Sequence, residues 1–424
     1  VIRRVLAGMG ANSFGMALTI GTQLVSLPIF LHYWNTTTYG VWLMLSAIPA
    51  YLSMADVGMV SAAGNKMTIA IARGDLIEAN KVFQSALKFM ALVCSSFALI
   101  VLISILFAPI AFLSNMDMRL ALIALCFGVL TALFDGLSQT IFKATQRYAI
   151  GTTLGNFVRL AEWVGYMIGL AMIGTFAAVA LCGFFVRLVG TLIVTQLSKN
   201  GNHGINWGIR YADNAEIRAM IKPAMSFMAF PIASALSLQG LTLLVGVLFG
   251  PIIVAIFNTY RTIVRIAVQI TAIFSHALWP EFSRLFGEGE FLTIQHIFNR
   301  SAVIGALQAF GLSLLLYFIS PWLLKFWTHG EIEFIPSLML LMLVYAAIAG
   351  AWHVPKVLLM ATNQHIDLSY WAVFAAALSV LLAFILSVRL HLNGIVIAML
   401  LSELFVAIIC LFLVYKVILK RKAN

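Results

Sequence analysis

NTYRTIVRIAVQITAIFSHALWP, residues Asn258–Pro280, is a run of 23 residues in which every charge is positive. At about 1.5 Å per residue a helix of that length covers roughly 35 Å, more than the ~30 Å of hydrocarbon in a bilayer. A soluble helix would turn a charged face to water. This one carries only Arg261 and Arg265, four residues apart and so on one face, with no acidic residue to neutralise them. The stretch predicts a membrane helix with two guanidinium groups near its middle, about 15 and 21 Å in when counted from Pro251.

The rest of the chain asks for the same solvent. Of 424 residues, 62% are hydrophobic and 10% charged, where soluble domains carry about a quarter charged residues. The mean hydropathy is +1.02. Twelve apolar runs are long enough to cross a bilayer: 13–34, 39–61, 86–113, 119–142, 152–173, 176–197, 221–249, 252–280, 300–324, 335–361, 367–389 and 394–416. They lack the alternation of an outer-membrane barrel, so the expected class is an all-α polytopic membrane protein. Arg3 and Arg4 precede the first run and no small-residue cleavage pattern follows it, which predicts an uncleaved start-transfer helix.

Lysine and arginine placement gives the expected orientation. With the N-terminus inside, 19 of the 26 fall on the cytoplasmic side, Lys356 counted among them. Arg119, Lys325 and Arg389 fall outside, and Arg159, Arg187, Arg261 and Arg265 lie within spans. Both termini are thus expected in the cytoplasm. The net charge of +11 reflects this bias and an affinity for anionic membrane lipids rather than for nucleic acid. Cys94, Cys126, Cys182 and Cys410 sit in spans at unrelated spacings, and the eight histidines are scattered singly, so no metal site is expected.

An internal echo divides the chain. Arg73-Gly74-Asp75-Leu76 and Val82-Phe83-Gln84 follow the second span; Glu288-Gly289-Glu290-Phe291 and Ile297-Phe298-Asn299 follow the eighth, at a constant offset of 215. This predicts six spans plus six in parallel orientation. The N-terminal lobe is expected over 1–200, a polar cytoplasmic linker over 201–217, and the C-terminal lobe over 218–424. The loops at 66–85 and 281–299 read as short amphipathic surface helices.

Eight charges lie at or inside spans, where each costs about 2.5 kcal/mol or more unless it faces a bundle interior or a wet cavity. Arg261 and Arg265 read either as a cationic patch for an anion such as phosphate, which guanidinium grips with a planar fork, or as structural groups bonded to neighbouring helices. Arg159 and Glu162, three apart, are expected to pair with each other. Arg187 and Glu403 have no local partner. Asp135, Glu162 and Glu403 are candidates to accept a coupling proton, and Asp56, near the end of span two, is either a hydrated tether or part of a gate. Tyr33, Trp34, Tyr39, Trp42, Trp322 and Trp327 read as an interfacial aromatic belt. No outer loop carries an acid or histidine cluster fit for hydrolysis or glycosyl transfer, and no Walker sequence is present, so a non-enzymatic transporter is expected.

Leu27-Pro28-Ile29-Phe30 closes the first span, Thr38-Tyr39-Gly40-Val41-Trp42 opens the second, and Asp56-Val57-Gly58 precedes the Arg73-Gly74-Asp75 loop. In this order they resemble the bacterial O-antigen-unit flippases, in the superfamily that includes MATE multidrug exporters and lipid II flippases. The resemblance implies a V-shaped pair of six-helix lobes around a central cavity, in the bacterial inner membrane. It implies alternating access that carries an undecaprenyl-diphosphate-linked oligosaccharide from the cytoplasmic to the periplasmic leaflet. Arg261 and Arg265 would receive the diphosphate, with Arg187 and Arg159 as further substrate contacts. No cofactor is expected beyond coupling to H+ or Na+. The polysaccharide polymerase and chain-length regulator of the pathway are the implied partners. The alternative is an ion-coupled multidrug or small-molecule exporter of the MATE type; its usual organic cations would be repelled by paired arginines.

Overall fold

The computed structural model describes residues 2–107, 115–200, 204–226, 228–362 and 364–419, and these are arranged almost wholly as helices. The chain forms two compact units, Val1–Met228 and Ala229–Asn424.

In the first unit the helices are α1 Ile2–Tyr33, α2 Thr36–Ala50, α3 Met59–Ala72, α4 Leu76–Phe107, α5 Met116–Ala144, α6 Tyr148–Met172, α7 Phe176–Asn200 and α8 Asn214–Ser226. The second unit holds α9 Ala229–Ala235, α10 Leu241–Phe249, α11 Pro251–Ala277, α12 Trp279–Glu288, α13 Phe291–Trp327, α14 Pro336–Ala351, α15 His353–Ala361 and α16 Ile366–Leu419. Ten helical runs among the described residues are long and apolar enough to cross a membrane. They leave out α6, which carries Arg159 and Glu162, and take α16 as one. His391, with φ 48 and ψ −134, breaks α16 into the two helices expected there. The protein is therefore a multi-pass membrane protein whose expected spans are helical over most of their described length; 108–113 of the third and 227 of the seventh lie outside the described residues.

Boundaries moved where a break was misread. Span two is a longer run, Thr36–Ile71, interrupted in its interior rather than ended near Asp56. A 3-10 turn Tyr51–Met54 leads into Val57 and Gly58, both at positive φ (50 and 75). Gly58 has no alternative there, because a Cβ would lie 2.4 Å from the Ala224 carbonyl oxygen of α8. The expected surface helix over 66–85 is instead the end of α3 and the start of α4, whereas α12 is a separate short helix begun by Pro280.

The internal echo is a repeated turn. Gly74 and Gly289 share a φ of +78. Asp75 N–H bonds the Ala70 carbonyl at 3.0 Å, and Glu290 N–H bonds the Leu285 carbonyl at 3.0 Å. Both are helix ends closed by a left-handed glycine, a position where other residues are strained.

Residues 204–216 lie along α4 and are fastened to it. Asn80 donates to the Gly204 carbonyl (2.6 Å) and accepts from Asn206 N–H (2.7 Å). Gln84 does the same with the Asn206 carbonyl (3.0 Å) and Tyr211 N–H (2.6 Å). Lys81 pairs with Asp213 at 2.7 Å, and Lys66 of the neighbouring α3 pairs with Glu216 at 2.5 Å. Trp207 stacks edgewise on the buried Phe83 ring. Over 204–213, which form neither strand nor helix, the segment satisfies part of its backbone with side chains of α4.

Trp34, Tyr39 and Trp42 do not form a belt. They are buried with Phe30 in an aromatic cluster, and the Trp34 indole N–H donates to the Gly174 carbonyl at 2.6 Å. Trp327 is buried as well, while Tyr33 and Trp322 are exposed as interfacial residues are.

Candidate functional site

Gly250 at φ 81 followed by Pro251 starts α11, because proline at the first helical position has a preset φ and needs no N–H partner. On one face of that helix stand Asn258, Arg261, Arg265 and Gln269. The preceding span is interrupted by a π turn, Leu236–Gly240, where the regular ladder of helical bonds is broken. Arg261 fills the break. Its guanidinium donates to the Leu238 carbonyl (2.8 Å), the Thr242 hydroxyl (2.7 Å) and Asn258 Oδ1, and sits 5.1 Å from the centre of the Phe257 ring. It is buried, and every partner is neutral.

Arg265 is different. It is half-buried and has no hydrogen bond or ion pair to another described residue. One turn on, the buried Gln269 Oε1 also lacks a partner. The Arg265 guanidinium, unpaired among the described residues and one turn from a second cation, leaves uncompensated positive charge on this face of α11.

Glu403 on α16, expected to have no local partner, accepts the indole N–H of the sequence-distant Trp352 at 2.7 Å. Lys356, counted above with the cytoplasmic loops, belongs to α15, and its ammonium lies 5.3 and 5.4 Å from the Phe230 and Trp352 ring centres. Trp352 thus holds a carboxylate on its edge and a cation on its face. The count of flanking lysines missed this residue because Lys356 sits close to a span end in sequence while its helix folds back into the core of the unit.

The first unit rearranges the expected ion pairs. Arg159 does not reach Glu162; it bonds Asn156 on its own helix. Glu162 instead accepts Arg187 Nη1 of α7 at 2.8 Å and the Tyr166 hydroxyl at 3.0 Å, and Asp135 Oδ2 of α5 lies 3.9 Å from Arg187 Nη2. The reason is helix proximity. A Cβ on Gly165 would lie 2.9 Å from the Cys182 carbonyl, and one on Gly169 would lie 2.6 Å from that of Ala178, so α6 and α7 touch backbone to backbone. Asp56 stays local, accepting Gly58 N–H at 3.2 Å beside the break in span two.

No protein-family model and no curated protein matches the sequence. Solved structures do. Over 98% of this chain and 99% of the other, it superposes on an inward-facing multidrug resistance MATE family transporter of the MOP superfamily, with a TM-score of 0.77 at 12% identity. The chain has the MOP-transporter fold. A MATE protein in complex with MaL6 is similar at TM-score 0.69 and 11% identity, covering 99% of this chain and 97% of its own. A MOP-superfamily transporter from Pyrococcus furiosus, described as having a binding pocket of reverse polarity that suggests a different function, matches at TM-score 0.68 and 11% identity over 96% and 94%.

Proposed function

We propose that this protein is a flippase that moves an undecaprenyl-diphosphate-linked oligosaccharide, an O-antigen or related polysaccharide unit, from the cytoplasmic to the periplasmic leaflet of the bacterial inner membrane by alternating access. The observation that carries the reading is Arg265: a guanidinium inside a membrane helix, without an acidic partner, next to Arg261. Its preferred ligand is a phosphate or diphosphate, met by a planar fork of donors. Arg261, tied to the π turn, adds positive potential and fixes the site's geometry. Headgroup binding favours the cytoplasm-open state, and H+ or Na+ influx through a carboxylate such as Glu403, Asp135 or Glu162 resets it. Asp56, at the interruption of span two, is the gating candidate. The polymerase and chain-length regulator would act on the delivered unit.

A second reading is favoured by the fold itself, which is shared with multidrug exporters. The two readings differ in the sign of the cargo. Complementation of a flippase-null, O-antigen-deficient strain, with membrane levels matched and surface polysaccharide read on a gel, separates them. Restoration by the parent and loss in Arg265→Ala is expected. Restoration by both removes Arg265 from the substrate path, and export of organic cations unaffected by Arg265→Ala replaces the flippase reading with the drug-exporter one.

A further inference from the structure

A cavity of about 350 Å³ lies inside the first unit, walled by α3, α5, α6 and α7. Its volume is at the lower end of small-molecule pockets. Glycines open it: Gly64, Gly136 and Gly155 each line it, and a Cβ on Gly155 would stand 3.1 Å from Gln139 Nε2.

The floor and the rim differ in chemistry. Asp135 (6% exposed) and Arg187 (8%) form a buried floor; Asp135 and Gln139 lie side by side, close enough to interact, yet Asp135 Oδ1, Gln139 Nε2 and Arg187 Nε make no hydrogen bond of good geometry. Buried polar atoms left unpaired cost about 1–3 kcal/mol each, so three in one cavity call for a ligand or water that both donates and accepts. At the rim, Lys143 and Arg159 are exposed and bonded only to the neutral amides of Asn65 and Asn156. Neither has an acidic residue within ion-pairing distance among the described residues. The excess charge of the pocket is therefore positive and at its mouth, while its depth offers both hydrogen-bond senses.

We infer that this pocket binds one acidic sugar ring, its carboxylate held by Lys143 and Arg159 and its hydroxyl groups by Asp135, Gln139 and Arg187. A hydroxyl donates to Asp135 Oδ1 and accepts from Gln139 Nε2, which no purely apolar or purely anionic ligand does. An organic cation would meet Lys143 and Arg159 at the mouth, and below them an Asp135 already shared with Arg187. Two sources share this chemistry: a sugar at the end of the lipid-linked chain, for which the inference rests on the flippase reading, or a free sugar acid.

The test is calorimetric titration of the full-length protein in nanodiscs with sodium glucuronate, glucose, glucosamine, and a polyprenyl-diphosphate glycoside that ends in glucuronate. Glucuronate or the glycoside should bind at least about tenfold more tightly than glucose, and Lys143→Gln and Arg159→Gln should each remove about that factor. Both side chains are exposed, so the thermal midpoint of each variant should match the parent. Binding of free glucuronate as tight as the glycoside assigns the pocket to a free solute, and binding of the glycoside alone assigns it to the lipid-linked chain. Equal binding of glucose and glucuronate, stronger binding of glucosamine, or unaltered affinity in folded variants overturns the inference. The readout is binding, so loss of flippase activity in cells leaves it standing, and its failure leaves the Arg265 reading standing.

Discussion

The two units carry buried arginines in opposite ways. In the first, Arg187 is held between two carboxylates, Glu162 at 2.8 Å and Asp135 at 3.9 Å, contributed by two other helices. In the second, Arg261 is held entirely by neutral oxygens and Arg265 by none among the described residues, while the half-buried acid Glu403 is bonded to an indole. A guanidinium clamped by acids is neutralised and works as a cross-brace between helices. One held by carbonyls and hydroxyls keeps its charge uncompensated.

This contrast can be broken by measurement. Arg187→Ala should have the largest effect on stability, about 3–5 kcal/mol, because it strands the buried Asp135 and takes the cation from the half-buried Glu162. Thermal unfolding in detergent reads it, and a midpoint equal to the parent's would show that Arg187 braces nothing. Arg261→Ala should cost about 1–3 kcal/mol through the unpaired Leu238 carbonyl and Thr242, whereas Arg265→Ala should stay within about 0.5 kcal/mol of the parent. Were these two variants to unfold together, the difference drawn between the neighbouring arginines would collapse.

The smallest effect concerns the segment on α4. The Lys81 ammonium, bonded to Asp213, holds that carboxyl below its ordinary range. A carboxyl with a depressed value in the folded state contributes stability above its unfolded value and loses it as the pH falls through the folded one. Protection over 204–216, that is amide exchange relative to its intrinsic rate at each pH, should therefore fall as the pH is lowered past the ordinary aspartate range, and Asp213→Asn should show the lower protection throughout. Both residues are exposed and salt will screen the pair, so protection that is indifferent to pH and ionic strength would place the hold in Asn80 and Gln84 instead.

Much of this architecture was legible in the chain. Apolar length gave the helices, and the 215-residue offset gave a turn that recurs with the same φ at Gly74 and Gly289, since only the backbone need of a left-handed residue survives where side chains differ. The partners of the buried charges were not legible from spacing along one helix. Arg159 and Glu162 are neighbours by periodicity, yet Glu162 turns to Arg187, because contact between helices outweighs contact along one. The signal was present in Gly165 and Gly169 on α6, a spacing of small residues that admits a neighbouring backbone. The aromatic cluster escaped for a related reason: composition near a span end does not tell a ring facing lipid from one facing its own bundle. Lys356 escaped because a count of flanking cations cannot see a helix turn inward.

The fastening of 204–216 to α4 bears on how the chain is made. Translation completes the sixth crossing helix at Asn200, yet Asn80, Gln84 and Ser85 wait for residues that leave the ribosome later. The first half becomes a finished folding unit only when the chain has grown past Asp213 and Glu216, and a half-molecule ended at 200 should be a poor partner for chaperone-free insertion, while one ended after Ser226 should mature by itself.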